Sequence, residues 1–308
     1  MSLTLRQLEI FEKTATTGSV TRAGEALLLT QSAVSMALTQ LEQLGGAPLF
    51  ERAGRRMILN DAGRLLLQEA RVILAAVKRV EQQLQGESGQ LVGELLVGGS
   101  TTIANYLLPS LLGDFARQYP RTRVQLIVGN TQQVADWLEA GQLDIAFVEG
   151  PCHSRELVAV PWRDDELVVL AAADHPWTTA RQVTAAQLAL APWIMREKGS
   201  GTREIFEDAM DRAGIDYTIA LEFGHTEAIK NGVAAGLGVS CLSRIAVDRE
   251  LTYGRLVEIA SPLQLYRSLN LLKRRSSSCT PLLAAFLQVS GGRWEADEAV
   301  QPDKQVKH

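Results

Sequence analysis

Small hydroxyl residues recur where an apolar run gives way to a helix-forming one: Gly98-Gly99-Ser100-Thr101-Thr102, Gly129-Asn130-Thr131, Gly199-Ser200-Gly201-Thr202 and Gly224-His225-Thr226. The first turn of a helix carries N–H groups without intrahelical partners, and the helix dipole adds partial positive charge there, so such termini receive anions. Converging in one crevice, Ser100, Thr101, Thr102, Thr131 and Thr202 would make a small-anion pocket, with Arg196 adding charge and a neutral His225 a further donor. The competing account of each hydroxyl is plain helix capping, and that of Arg196 is ordinary surface charge. Glu149 stands against an anion, because it ends the apolar run Leu143 to Val148. It is expected to be paired, with Arg196 or Arg203.

A second group of polar residues lies near the N-terminus. From Thr30 onward Val34, Ala37, Leu38, Leu41 and Leu44 recur at helical spacing and face inward, which turns Gln31, Ser32, Ser35, Met36 and Thr39 outward. An uncharged face of Gln, Ser and Thr can enter a major groove and hydrogen-bond base edges, although the same stripe also suits a solvated bundle helix. The run Pro48 to Leu59 reads as two short strands around a glycine turn holding Arg52, Arg55 and Arg56, a basic wing placed for phosphates or a narrow minor groove.

Catalysis finds no support. His153, His175, His225 and His308 lack metal-ligand spacing, and no H-E-x-x-H, P-loop or G-x-S-x-G occurs. Gly236-Leu237-Gly238 precedes a strand rather than following one, which excludes a dinucleotide fingerprint. Neither a metal nor another cofactor is expected. Cys152, Cys241 and Cys279 are widely spread, and buried thiols are the simpler reading than a redox pair.

The elements that must position these residues follow from periodicity. Leu5, Leu8, Phe11 and Ala15 mark a helix over Leu5 to Thr17 that stops at Gly18, and Thr21 to Leu28 marks a second, at helix-turn-helix spacing. Asp61 to Leu84 holds Leu66, Ala70, Ile73, Val77, Val80 and Leu84 as a heptad seam for an identical helix, implying a homodimer. Beyond residue 93, apolar strands at Leu95 to Val97, Val124 to Val128, Leu143 to Val148, Leu167 to Ala171, Trp193 to Met195, Val239 to Leu242 and Leu269 to Leu272 alternate with helices. The body is therefore expected to be α/β with parallel strands.

The chain has 308 residues and a formal net charge of -4. Residues 1 to 90 hold ten Lys and Arg against nine Asp and Glu, so the nucleic-acid reading rests on pattern rather than on a basic excess. No apolar run is long enough to span a bilayer and Met1 to Phe11 reads as helix, so a cytoplasmic protein without membrane contact is expected.

The run "LRQLEIFEKTATTGSVTRAGEALLLTQSAVSMALTQLEQLGGAPLFERAGRRMILNDAGRLLL" resembles the DNA-binding domain of LysR-type transcription regulators throughout its length. The resemblance implies that Gln31, Ser32 and Ser35 meet double-stranded DNA at an inverted repeat, supported by Arg52 and Arg55 from the wing, and that dimers pair into tetramers. RNA polymerase is an additional candidate partner. Residues 93 to 290 resemble the effector-binding domain of the same family, itself similar to type 2 periplasmic binding proteins with a ligand between two α/β lobes. "VEGPCHS", "PWIMREKGSGTRE" and "HTEAIKNGVAAGLGVSCLSR" look like a branch associated with sulfite sensing and sulfur metabolism.

The expected organisation is a winged helix-turn-helix over 1–60 and a linker helix over 61–90, followed by an effector domain over 91–292. Its lobes are 91–162 with 268–292, and 163–267; a polar tail covers 293–308. Two alternatives are carried: a two-lobed small-molecule binding protein with no gene-regulatory role, and a thiol-based redox-sensing regulator.

Overall fold

Local capping sets the first three helices. The computed structural model describes residues 3–53, 56–85 and 91–294. Helix α1, Leu5–Thr17, begins in a capping box in which Thr4 accepts from the Gln7 amide and Gln7 accepts in return, and it ends at Gly18 with φ 63°. Ser19 caps α2, Val20–Leu27, and Thr30 caps α3, Gln31–Gly45. Between α2 and α3 the left-handed position is filled by Leu28, at φ 56° and 94% exposed, where the sequence pattern had extended the helix. Strands β1, Phe50–Ala53, and β2, Arg56–Leu59, pair antiparallel as the wing.

Leu8, Phe11, Val34, Leu38 and Phe50 form the buried centre of this unit, with Phe11 and Phe50 edge to face at 5.4 Å. Leu5 and Leu44, expected inside, are exposed, while Ile10 and Thr14 are buried. Thr14 is tolerated there because its hydroxyl donates to the Ile10 carbonyl at 2.7 Å.

Helix α4 runs Asp61–Gln85. It carries two apolar stripes, which periodicity in one chain cannot separate. Ala70 is fully buried, and Leu66, Leu67 and Leu74 pack with it on the core of the helix-turn-helix unit. The expected seam is corrected accordingly: Leu66 and Ala70 serve their own domain. Ile73 and Val80 stay exposed beside Leu65 and Val72, Val77 is half-buried, and the Leu84 side chain lies outside the described set.

Two compact units are present: residues 1–90 with the short segment 139–142, and the remainder of the chain. In the second, β3 (Gly93–Ser100), β4 (Thr122–Gly129) and β5 (Ile145–Glu149) are parallel, as expected. The rest of the large sheet is not. Strand β6, Leu157–Ala172, pairs antiparallel with β11, Tyr266–Arg274, through Glu166. From Leu167 onward it pairs antiparallel with β9, Ser240–Ser243, and with β10, Leu256–Ile259.

The expectation of a parallel body therefore holds only for β3 to β5 in the first lobe, and in the second for the small sheet of β7, Trp193–Met195, and β8, Ile219–Glu222. The reason lies in β6, whose first half alternates with one face open to solvent, as antiparallel strands allow. Only its fully buried end, Leu167–Ala171, reads as a strand in the sequence. The helices are α5 (Thr101–Tyr106), α6 (Leu108–Gln118), α7 (Thr131–Glu139), α8 (Ala185–Leu190), α9 (Gly201–Arg212), α10 (Thr226–Ala234), α11 (Arg244–Thr252) and α12 (Pro281–Ser290). Residues 295–308 of the expected tail and Gly86–Gln90 of the expected boundary lie outside the described residues.

Candidate functional site

On α3, Gln31, Ser32, Ser35 and Thr39 are all exposed, while Val34, Leu38 and Leu41 are buried on the opposite face. The Thr39 hydroxyl donates to the Ser35 carbonyl at 3.0 Å and the Ser32 and Thr30 hydroxyls meet at 3.0 Å, so this face is ordered and polar. Met36 shares it, 61% exposed, and offers an apolar surface of the kind that meets a thymine methyl. The Arg52 backbone pairs with Met57 in the wing. The Arg52 side chain and all of Arg55 lie outside the described residues.

The hydroxyl residues of the second unit gather around one buried carboxylate. Glu149 ends β5, and its main-chain N–H donates to Ser100 Oγ at 3.1 Å while its carbonyl accepts from Thr131 Oγ1 at 3.0 Å. Its Oε1 accepts the first-turn amides of α5, Thr102 at 2.6 Å and Ile103 at 3.3 Å. Its Oε2 accepts the Thr202 hydroxyl at 3.2 Å from the start of α9. Of the four expected termini, the starts of α5, α7 and α9 come together here and that of α10 does not, and the α5 terminus is filled by a carboxylate of the chain itself.

The partner of Glu149 corrects the expectation. Arg267 Nη1 stands 3.7 Å from Glu149 Oε2, with both side chains essentially inaccessible. Arg267 also donates to Thr202 Oγ1 at 3.0 Å and to Asp165 at 2.7 Å, and Asp165 accepts from Ser243 at 2.8 Å. Burial pushes the Glu149 carboxyl upward, but the charges of Arg267 and Arg196 and the Thr102 hydrogen bonds outweigh it and hold it below the usual range.

Arg196 is buried, donates to Thr101 Oγ1 at 3.1 Å, and is held bidentate by Glu197 at 2.8 Å. Arg203 turns to Glu207 and Glu222 at 2.7 and 2.5 Å. His225 is exposed and makes no side-chain cap on α10, so it is not brought into the cluster.

Sequence reasoning missed Arg267 and Asp165, and it noted Ser200 at the start of α9 without giving it a role in the pocket. The Ser200 hydroxyl, at the mouth of α9, is buried and has no hydrogen-bond partner among the described residues. It is a donor without an acceptor beside a helix start, which is the local signature of a place for an oxygen-bearing ligand.

Cys241 and Cys279 are free thiols, and among the described residues no group of His, Cys, Asp and Glu is arranged for a metal. Burial pushes the Cys241 thiol to about 12, with Arg267 only partly opposing it. A thiol at that value is ionised to about one part in ten thousand at pH 8. Cys241 is therefore expected to resist iodoacetamide in the folded protein and to react once denatured, followed by mass spectrometry. Rapid labelling of native Cys241 would revive the redox alternative. No described helix is long and apolar enough to cross a membrane.

The model of the "Bacterial regulatory helix-turn-helix protein, lysR family" matches residues 5–64, and that of the "LysR substrate binding domain" matches residues 88–294. An uncharacterized HTH-type transcriptional regulator, YeiE of Escherichia coli K12, is 43% identical over 288 residues, covering 93% of this chain and 97% of its own. Full-length OxyR of Pseudomonas aeruginosa superposes with a TM-score of 0.75 at 25% identity over 94% of both chains. The regulatory domain of CcmR from Synechocystis PCC6803, solved in complex with 2-PG, matches at 31% identity and a TM-score of 0.60, covering 64% of this chain and 95% of that one.

Proposed function

Because the chain belongs to the LysR family, and so is a DNA-binding transcriptional regulator with an effector-binding domain and not an enzyme, we propose that its effector is a compact oxyanion held between the lobes, with sulfite the first candidate. The observation that carries this reading is the convergence of Ser100, Thr102, Thr131 and Thr202 on Glu149, beside the unpartnered Ser200 hydroxyl and the buried Arg196 and Arg267. Glu149 already occupies the α5 terminus as a built-in anion, which leaves the start of α9 for the ligand and favours a small one.

The heads read DNA through Gln31, Ser32, Ser35 and Thr39, with Arg52 and Arg55 on phosphates, at an inverted repeat. Leu65, Val72, Ile73 and Val80 supply the face on which a second copy pairs, and further pairing gives a tetramer. An anion that binds one lobe arrangement more tightly than another shifts the population toward it, and only that difference in affinity can alter operator binding.

Calorimetry of the full-length protein against sulfite, sulfate, thiosulfate and 2-PG tests the reading, with a footprint on its operator with and without each. One anion is expected to bind, and Ser200→Ala, which removes the unpartnered hydroxyl, to weaken it about tenfold, the scale of one hydrogen bond to a charged group. If no anion gives heat or changes the footprint, the oxyanion effector is wrong and the DNA-binding function stands.

A further inference from the structure

Helix α5 has a different task at each end. Its first turn donates the Thr102 and Ile103 amides to Glu149 in the candidate effector site. Its last residue, Tyr106, leaves the first lobe's core and packs against the second lobe's, which is built from Ile229, Val233, Ala246 and Val247 among others. In return Ile245 of α11, in the second lobe, packs against the first lobe's core around Ile103 and Leu108. The lobes thus exchange one side chain each at this edge of the crevice.

Polar contacts close the same edge. The Tyr106 hydroxyl donates to Glu227 Oε1 at 2.8 Å and receives Lys230 Nζ at 3.4 Å. The Lys230 ammonium is buried, stands 5.6 Å from the Tyr106 ring centroid, and is held by Glu227 at 2.6 Å, Glu250 at 3.0 Å and the Ala246 carbonyl at 3.1 Å. Burial first, and then the bond to Glu227, raise the Tyr106 phenol, so it stays protonated and able to donate. Glu250 Oε2 is buried without a hydrogen-bond partner among the described residues. The Lys230 and Glu250 side chains are thus largely buried while Glu227 stays largely open to solvent, and a cluster with an exposed member and an unmet acceptor opens at less cost than a buried, fully satisfied one.

We propose that Tyr106, Glu227 and Lys230 are a latch between the lobes, and that α5 couples the effector site at its first turn to this latch at its last. The coupling half rests on the effector reading above; the latch itself does not.

Hydrogen exchange of the full-length protein without ligand tests the latch directly. Two amides bridge the lobes at the effector site itself: Gln132, which donates to the Gly199 carbonyl at 3.1 Å, and Gly201, which donates to Thr131 Oγ1 at 3.2 Å. Two others, Ile194 and Val239, bond within the second lobe alone. Tyr106→Phe keeps the ring and removes the hydroxyl. It is expected to speed exchange at Gln132 and Gly201 about three- to tenfold and to leave Ile194 and Val239 unchanged. Glu227→Gln, which removes the charge facing Lys230, should act in the same direction.

Unchanged exchange at Gln132 and Gly201 in both variants overturns the latch. So does a uniform rise that includes Ile194 and Val239, since that is the mark of a residue serving only the second lobe's core. A parallel arm with saturating sulfite separates the two readings. Sulfite that protects Gln132 and Gly201 in the parent but less in Tyr106→Phe supports coupling through α5. Sulfite without effect on the parent defeats sulfite as the effector and the coupling drawn from it, while the ligand-free result on the latch still counts.

Discussion

Arg267→Ala lowers the stability of the effector domain by about 3–5 kcal/mol, the scale of removing one partner from a buried ion pair. The side chain has no solvent exposure and holds Asp165, Glu149 and Thr202 at once, so its loss strips buried Asp165 of the guanidinium that pairs with it and leaves Glu149 with only Arg196 as a weaker counter-charge. In a domain of about 200 residues each kcal/mol lowers Tm by roughly 2–4 °C, so thermal unfolding at neutral pH reads the effect.

The pH dependence gives a second check. In the parent, Glu149 is held below the usual carboxylate range, so it contributes stability above its unfolded pKa and loses that contribution as pH falls through its folded one. Without Arg267 the larger of the two opposing charges is gone, so the folded pKa of Glu149 rises in the variant. The stability gap between parent and variant therefore narrows as pH falls into the carboxylate range. A gap below about 1 kcal/mol at pH 7, or one that widens in acid, would show that Arg267 does not hold Glu149 in this way.

Gly201→Ala is the second large effect. A Cβ at this position would stand 1.9 Å from the Glu149 carbonyl oxygen and 2.9 Å from Thr131 Oγ1. The start of α9 must then back away from β5, breaking the Gly201 bond to Thr131 and the Thr202 bond to Glu149. Overpacking of this kind costs about 1–3 kcal/mol. The closer obstruction is a main-chain carbonyl, so adding Thr131→Ala is not expected to restore the loss, as thermal unfolding of the single and double variants would report. Full recovery in the double variant would move the conflict to the Thr131 side chain.

What could be read from the sequence was local. The ends of α1, α2 and α3 are set by Thr4, Gly18, Ser19 and Thr30, each within a few residues of the bond it makes, and the outward face of α3 follows from helical spacing. The hydroxyls at the starts of α5, α7 and α9 were legible for the same reason. Arg267 was not, because its partners Asp165 and Thr202 lie 102 and 65 residues away, and a lone arginine near a strand start carries no local pattern. Leu66 and Ala70 were assigned to a partner because α4 presents apolar residues on more than one side, and only packing against the head decides which side is already taken. The antiparallel half of the large sheet was hidden in Val160 to Glu166, where Pro161 and the charged run Arg163-Asp164-Asp165-Glu166 look like a loop until β11 lies beside them.

Strand β6 is one unbroken ribbon of 16 residues whose first part belongs to one sheet partner and whose last part belongs to two others. Twisting one lobe against the other must therefore wind this ribbon, as a torsion bar is wound, instead of swinging on a slack joint. The two lobes are therefore covalently one piece along this strand, and neither can be exchanged for that of a relative without cutting the ribbon.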